Sequence, residues 1–505
     1  MAPSLHVDFS HVALTLAFVY VVSKIVDYRR GLQTVSSLPG LRVPFYPLGM
    51  PGAIIPTSWW NPGLHFTWLW RDSVYKRFGF DTISVVSFIS GAPAFYTADL
   101  SVARQVLQPS EGRSYWKSEV SVSAIIKWGM NLLAADGGDI WRRHRRVVGP
   151  AFNNDLYKLV WRVTVSTYRE MVDVEGFADN NECVVPEVQT LTFKLALLLI
   201  GRCAFGFPFN WADPATTADG KMMRESVEAE DCLMGFLKAL VKERKSDFRS
   251  QHMDDVSNKG KDAFSMLVKA SMDEGAKYTL DDDELVGNIF IMLFAGHEST
   301  AHVISATLGF LSLYDDLQQE VYDQIITVVG HERDPVFEDY NALDKVLSAF
   351  FEALRMFPPG FIAMREAFED TALQIPNPNG VEGETVTIPI AKGTQVIVDI
   401  TGMQYNPRYF EKPFEFMPSR WKGCTVESEA VSAFSVGPRT CIGRKFATTE
   451  AVCFLTMLLR DFKIEPLLQP GESKQAWKSR VLDASITMTL GVKPVPVKFI
   501  RRKQL

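Results

Sequence analysis

Phe434-Ser435-Val436-Gly437-Pro438-Arg439-Thr440-Cys441-Ile442-Gly443 places one cysteine between two glycines, with an arginine two residues before it. These residue types describe a thiolate ligand in a tight loop. A thiolate that binds a metal must be deprotonated at neutral pH, so cationic partners and backbone N–H donors have to surround it. Gly437 and Gly443 let the backbone come close to the plane of a metal site, and Gly437 can take a positive φ. Phe434 can cover the apolar side of the sulfur. Arg444 to Leu459 reads as a helix whose N-terminal partial charge favours the thiolate. The competing reading of a lone cysteine is a small buried hydrophobe; the spacing around Cys441 is what separates the two.

Other stretches carry related signals. Asp281 to Leu313 has the pattern of one long helix, with acidic residues at its start that suit the helix dipole. At 1.5 Å per residue it would span roughly 50 Å. Leu285 to Phe294 is apolar apart from Gly287 and Asn288, which marks a helix buried through the body of the protein. Ala295-Gly296-His297-Glu298-Ser299-Thr300 interrupts it. Small residues leave room beside the helix, and Glu298 and Ser299 put an acid and an alcohol in an apolar wall. Taken alone, this is a packing notch or a kink as readily as a site. Asp139 to Val148 reads as a helix with Trp141 and Arg145 on one face, and Val346 to Met356 as a helix with Glu352 and Arg355 on one face. Phe416-Met417-Pro418-Ser419-Arg420-Trp421 follows downstream.

Together these motifs resemble the cytochrome P450 family, in the family's order, from roughly residue 38 to the end. Phe-x-x-Gly-x-Arg-x-Cys-x-Gly is similar to its haem-thiolate loop, and Ala-Gly-His-Glu-Ser-Thr to its oxygen-activating motif. The resemblance implies a mainly α fold with small β-sheets, the cytochrome P450 fold with an N-terminal transmembrane anchor. It implies haem b (iron protoporphyrin IX) with Cys441 as axial thiolate and Phe434 and Gly443 in the cofactor loop. Trp141, Arg145, Arg365 and Arg439 would pair with the propionates, and Glu352, Arg355 and Arg420 would form a buried charged triad. Glu298 and Ser299 would guide protons and water. Ser299 stands where the family usually has threonine, so the hydroxyl is kept and the methyl that fixes its rotamer is lost; Thr300 could share the role. His297 falls at the motif's variable position and reads as packing.

The remaining features set the context. A net charge of −6 on 505 residues does not suggest a nucleic-acid binder. Six cysteines without a CxxC pair suggest neither a zinc ribbon nor a thioredoxin-type site, and fit a reducing, cytosol-facing domain. Phe9 to Val26 is mostly apolar and a marginal membrane span. The start lacks basic residues, while Lys24, Arg29 and Arg30 follow, which favours an uncleaved anchor with its C-terminal side in the cytosol; a cleaved signal and a buried helix are the alternatives. The expected organisation is an anchor over 1–30, a proline-containing hinge over 31–50 and a catalytic domain over 51–505. Thr82 to Tyr96 reads as a hairpin, Leu191 to Phe207 as a buried helix ending near Gly206, and Val386–Ile390 and Thr394–Asp399 as strands around a Lys392-Gly393 turn. Val481 to Val492 reads as a last hairpin that enters the pocket. Pocket residues are expected in Tyr115–Leu133, Phe294–Thr300, Pro359–Ala363 and Ser485–Thr489.

The function implied by the resemblance is insertion of one oxygen atom from O2 into a lipophilic small molecule, with a terpenoid or other fungal secondary metabolite as substrate class. Electrons would come from NADPH–cytochrome P450 reductase at the endoplasmic reticulum membrane. Arg142, Arg143 and Arg146, extended by Arg444 and Lys445, would offer an acidic reductase a docking patch; a solvated basic helix is the competing reading of the first three. The lid region, Asn210 to Asp283, looks short, with one helix running into the next around Met222 to Lys245. That keeps a catalytically degenerate haem-binding homologue as an alternative, beside a P450-fold isomerase or dehydratase.

Overall fold

A computed structural model describes residues 9–107, 114–136, 138–207, 209–212, 230–250, 262–273, 277–378, 380–381, 383–425, 432–486 and 489–502. The chain divides into two units, Met1–Ser118 with Ile362–Glu411, and Glu119–Phe361 with Lys412–Leu505.

The first unit begins with the helix Phe9–Thr34. Nothing after Val26 breaks a helix, so it runs past the apolar stretch through Lys24, Arg29 and Arg30, and ends where Ser36 and Ser37 take positive φ. Its 26 residues span about 39 Å, longer than the roughly 30 Å of a bilayer core. Leu14, Leu16 and Phe18 point outward, each more than 60% exposed. Within the 31–50 stretch, residues 31–34 continue this helix and Gly40–Phe45 is a strand. Gly40–Phe45 pairs in parallel with Thr82–Ser90, and the register shifts between Val43 and Phe45. Pro44 lacks an N–H, so it is tolerated at this bulge on an edge strand. The six-stranded sheet runs in the order Gly40–Phe45, Thr82–Ser90, Ala94–Thr97, Gln395–Asp399, Ile362–Ala367, Tyr115–Trp116. Thr82–Ser90 and Ala94–Thr97 form the expected hairpin.

The two strands around Lys392-Gly393 part company. Thr385–Ile390, largely exposed, pairs with Thr371–Pro376, while Gln395–Asp399, nearly all buried, enters the middle of the large sheet. Gly393, at φ +81, makes the turn between them. Asp399 ends the buried strand. Its Oδ1 accepts the Gly402 N–H at 2.8 Å and its Oδ2 the Tyr75 hydroxyl at 2.8 Å. Burial, opposed by these donors, pushes its carboxyl up to about 7.

The second unit is built on the helix Asp282–Leu313, hereafter the core helix. Asp281 caps it: its Oδ1 accepts the Glu284 N–H at 2.8 Å, and Glu284 Oε2 accepts the Asp281 N–H at 3.1 Å. Leu285–Leu293, except Phe290, and Thr300–Ser312 are buried, because the helix packs against Gln189–Phe205, Glu230–Arg249, Asp344–Met356 and Arg444–Asp461. Gln189–Phe205 stops at Gly206, whose φ of +69 supplies a left-handed cap. Glu182–Val185, Val497–Arg501 and Phe462–Pro466 form an antiparallel sheet, and Ala484–Ile486 with Leu490–Val492 the last hairpin. Glu230–Arg249 and Ala263–Ser271 are the helices seen in the lid region. Residues 213–229 of the expected short lid, including Met222, and 251–261 and 274–276 lie outside the described residues.

One polar knot ties this unit together. Glu352 is fully buried and accepts five hydrogen bonds: Arg355 Nε at 3.0 Å and Nη2 at 2.9 Å, Arg420 Nε at 3.0 Å, Trp421 Nε1 at 2.8 Å and the Met417 N–H at 3.0 Å. The three charges expected to meet do meet, and Trp421 completes the set. A carboxylate this deep is stable only because every lone pair is used.

Candidate functional site

The cysteine loop folds back on itself. Ser435 and Gly437 take φ of +67 and +78, the Thr440 N–H reaches the Gly437 carbonyl at 3.0 Å, and the Cys441 N–H reaches the Phe434 carbonyl at 2.9 Å. Arg444–Asp461 starts directly behind it, with Gly443 as its N-cap residue. Cys183, Cys203 and Cys453 are buried, whereas Cys441 is exposed. The small-buried-hydrophobe reading therefore describes the other three and not Cys441. Burial of its surroundings still pushes the Cys441 thiol up. The Gly443 and Arg444 N–H groups and the Arg145 and Arg444 guanidinium charges pull it down, which is the environment a thiolate ligand needs.

The helix Gly138–Val148 supplies the cationic side. Arg145 is half-buried and, among the described residues, has no carboxylate salt-bridge partner. Burial lowers its pKa and the Cys441 charge opposes that. Arg439 reaches back to the start of the same helix. It donates to the Ala135 carbonyl at 2.8 Å and to Asp136 Oδ1 at 2.9 Å, and its guanidinium lies 5.0 Å from the Trp141 ring. A cleft of about 280 Å³ opens beside Cys441, lined by Arg145, Phe152, Tyr157, Arg444 and Lys445 among others. The arginines expected as a docking patch have partners. Arg142 pairs with Asp139 at 3.2 Å, Arg143 turns inward to Glu284, and Arg146 lies 4.6 Å from the Tyr278 ring.

On the core helix, Glu298 and Ser299 sit between its two buried stretches, and Thr300 begins the second. Ser299 Oγ donates to the Ala295 carbonyl at 2.8 Å and Thr300 Oγ1 to the Gly296 carbonyl at 3.4 Å. Both hydroxyls thus bond back one turn of helix. Glu298 Oε1 accepts the Thr489 hydroxyl at 2.7 Å. The His302 imidazole beside it lowers the Glu298 pKa most; burial opposes this, and Thr489 adds to it. His297 bonds the Leu293 carbonyl at 3.0 Å and meets Phe193 edge-on, which is a packing role.

Sequence reasoning passed over Asp136, His302 and Glu450. Glu450 is buried in Arg444–Asp461; burial raises its carboxyl well above the usual range, with Thr300 opposing. A lone acid within an apolar helical run was the available signal. Arg365 lies on Ile362–Ala367 in the first unit and donates to the Met364 carbonyl at 2.8 Å. The remaining site residues, Cys441, Phe434, Gly443, Trp141, Arg145, Arg439, Glu298, Ser299 and Thr300, all belong to the second unit.

The cytochrome P450 family profile matches residues 214–487. Over 97% of this chain and 98% of the relative, the sequence is 30% identical to cytochrome P450 monooxygenase 124 of Postia placenta. It is 26% identical to cytochrome P450 709B1 of Arabidopsis thaliana over 74% of each chain. With cytochrome P450 4F11 of Homo sapiens it shares 25% identity over 67% of this chain and 69% of that one. A crystal structure of a cytochrome P450 is similar in fold, with a TM-score of 0.63 at 20% identity, covering 83% of this chain and 94% of the other.

Proposed function

The chain belongs to the cytochrome P450 family of haem-thiolate monooxygenases, and on that premise we propose a membrane-anchored enzyme that inserts one oxygen atom from O2 into a lipophilic small molecule. A terpenoid or other fungal secondary metabolite is the substrate class, by analogy with the family. The observation that carries the reading is the exposed Cys441 thiol, with the Gly443 and Arg444 N–H groups and the Arg145 charge directed at it.

The donor set fits haem b. Cys441 would supply the thiolate ligand, with the Gly443 and Arg444 N–H groups acting on the sulfur. Arg145, half-buried and without a carboxylate partner among the described residues, is ready for an anionic propionate. Trp141, Arg439 and Arg365 would complete propionate binding, with Phe434 and Gly443 against the sulfur side. When bound, the haem supplies the iron at which dioxygen is activated, and thiolate donation favours O–O cleavage.

The chain's own residues would manage protons. Glu298, ionised near neutral pH, can accept a proton at Oε1 and pass it on. Ser299 Oγ can pass one on by rotating away from the Ala295 carbonyl. Serine rotates more freely than threonine, so this relay is less rigid than one built on Thr300. A P450-fold isomerase needs neither residue, and the retained acid–alcohol pair with a cysteine loop of ordinary length argues against that alternative. Electrons would arrive from NADPH–cytochrome P450 reductase at the endoplasmic reticulum membrane, with Arg444 on the docking side and Phe9–Thr34 as the anchor.

Heavy-oxygen labelling tests this. With the full-length chain co-expressed with a matching reductase and given lipophilic extracts, the expected product gains one heavy atom from heavy dioxygen. A product whose new oxygen carries no label contradicts monooxygenation.

A further inference from the structure

His302 lies one helical turn beyond Glu298, and its Nε2 stands 3.8 Å from Glu298 Oε1, an ion-pair distance. The residue is 9% exposed. Phe193 of Gln189–Phe205 meets the ring edge-on at 4.9 Å. Gly491 of the last hairpin presses on its other side: a Cβ there would come within 2.1 Å of Nδ1. Nδ1 has no hydrogen-bond partner among the described residues. The ring's polar neighbour is thus the Glu298 carboxylate. The same Oε1 accepts the Thr489 hydroxyl at 2.7 Å, and Thr489 and Gly491 belong to one hairpin. That hairpin seats the imidazole and grips the carboxylate at once.

A purely packing role would favour an apolar residue here. Burying an imidazole with one nitrogen unsatisfied is unfavourable, and an aromatic hydrocarbon of the same size would avoid that. The polar atom that gives the histidine a use is Glu298 Oε1.

We propose that His302 is a positioning residue for Glu298: with Thr489 it holds the carboxylate of the acid–alcohol pair in one orientation and in its ionised form for proton delivery. The inference rests on reading Glu298 and Ser299 as the proton-handling pair. Among the described residues, the titratable groups acting on Glu298 are His302 and His297 on its own helix; the hairpin adds the Thr489 hydroxyl, and Phe193 is apolar. The folded carboxyl lies below its usual value, so it stays charged until the pH falls through that lower value. Removing His302 raises the pH at which the charge is lost, and proton delivery then fails earlier on acidification.

Two variants and one NMR comparison decide it. His302→Phe keeps a ring of similar size and removes both nitrogens, whereas His302→Gln keeps one N–H donor. Carbon-13 histidine NMR on the reduced, carbon monoxide-bound holoenzyme follows the His302 ring, assigned by the signal lost in His302→Gln. In Glu298→Gln, the His302 ring carbon shifts are expected to change as the anionic partner at 3.8 Å is lost. In turnover, His302→Phe is expected to move the acid limb of product formed per NADPH to higher pH, and His302→Gln to restore most of it. His302 ring carbon shifts that are unchanged in Glu298→Gln overturn the pairing. An unmoved acid limb in a haem-loaded His302→Phe overturns the positioning role. A wild-type chain without a thiolate carbon monoxide band overturns instead the reading on which both rest.

Discussion

Glu352 and Glu298 are glutamates on two helices of the same unit, held in opposite ways. Glu352 is fully buried and takes five donors, three of them from arginines. Glu298 is partly exposed and is held by a threonine hydroxyl and an imidazole at ion-pair distance. The first carboxylate cannot change its charge without breaking the structure around it, so it acts as a rivet. The second keeps its charge through light contacts that can rearrange, and so it can take part in chemistry. Asp399 is a third case, fully buried among neutral donors and therefore close to neutral itself.

The largest expected effect breaks the comparison outright if it fails to appear. Glu352→Ala leaves two arginines without their buried partner, which typically destabilises by 3–5 kcal/mol, roughly. Haem-containing protein should be nearly lost, as read from the absorbance ratio of haem to protein; wild-type yield would mean that the knot is not a rivet. Glu298→Gln, by contrast, should fold with its haem content unchanged, while the rate of product formation falls on the order of 100-fold. A comparable loss of haem in both variants would erase the distinction.

Asp399→Asn sharpens it from a third side. The folded carboxyl titrates near 7, and the unfolded one near 3.9, roughly. Between those values the native state binds the extra proton, so stability falls as pH rises through the window, by at most about 1.4 kcal/mol per pH unit. The variant should flatten this slope in thermal unfolding measured from pH 4 to 7, roughly the window of the shift. An unchanged slope would mean that the Tyr75 and Gly402 donors keep Asp399 ionised. The smallest effect belongs to Ser299→Thr. Adding a methyl that fixes the rotamer should change product formed per NADPH by only about two- to threefold, equivalent to less than 1 kcal/mol, roughly. A change as large as that of Glu298→Gln would place the relay on Ser299 alone.

The features legible in the sequence are those whose spacing is local. Cys441 is set by a ten-residue loop, Glu298 and Ser299 by adjacency within a helix, and Glu352 and Arg355 by one helical turn. Arg420 was reachable through its own short motif. Contacts made across the chain were not legible. Arg439 meets Asp136 and Glu298 meets Thr489 only because distant segments are packed together. The same limit applied to strands. Val386–Ile390 and Thr394–Asp399 both read as extended, but strand partners are chosen by burial on the pleated faces, and the two strands there belong to different sheets. Leu38 to Pro44 reads as a hinge because its prolines and glycine break a helix; the pairing of Gly40–Phe45 as an edge strand with a bulge at Pro44 depends on a distant partner.

The most direct test of the central claim is the reduced carbon monoxide difference spectrum of the full-length chain and of Cys441→Ser, each with its haem content measured. The account predicts the red-shifted band of a thiolate-ligated haem in the wild type and its loss in Cys441→Ser, even where haem is retained. A wild-type chain that binds haem without that band, or a Cys441→Ser variant that keeps it, would contradict the assignment of Cys441 as the ligand around which the site is built.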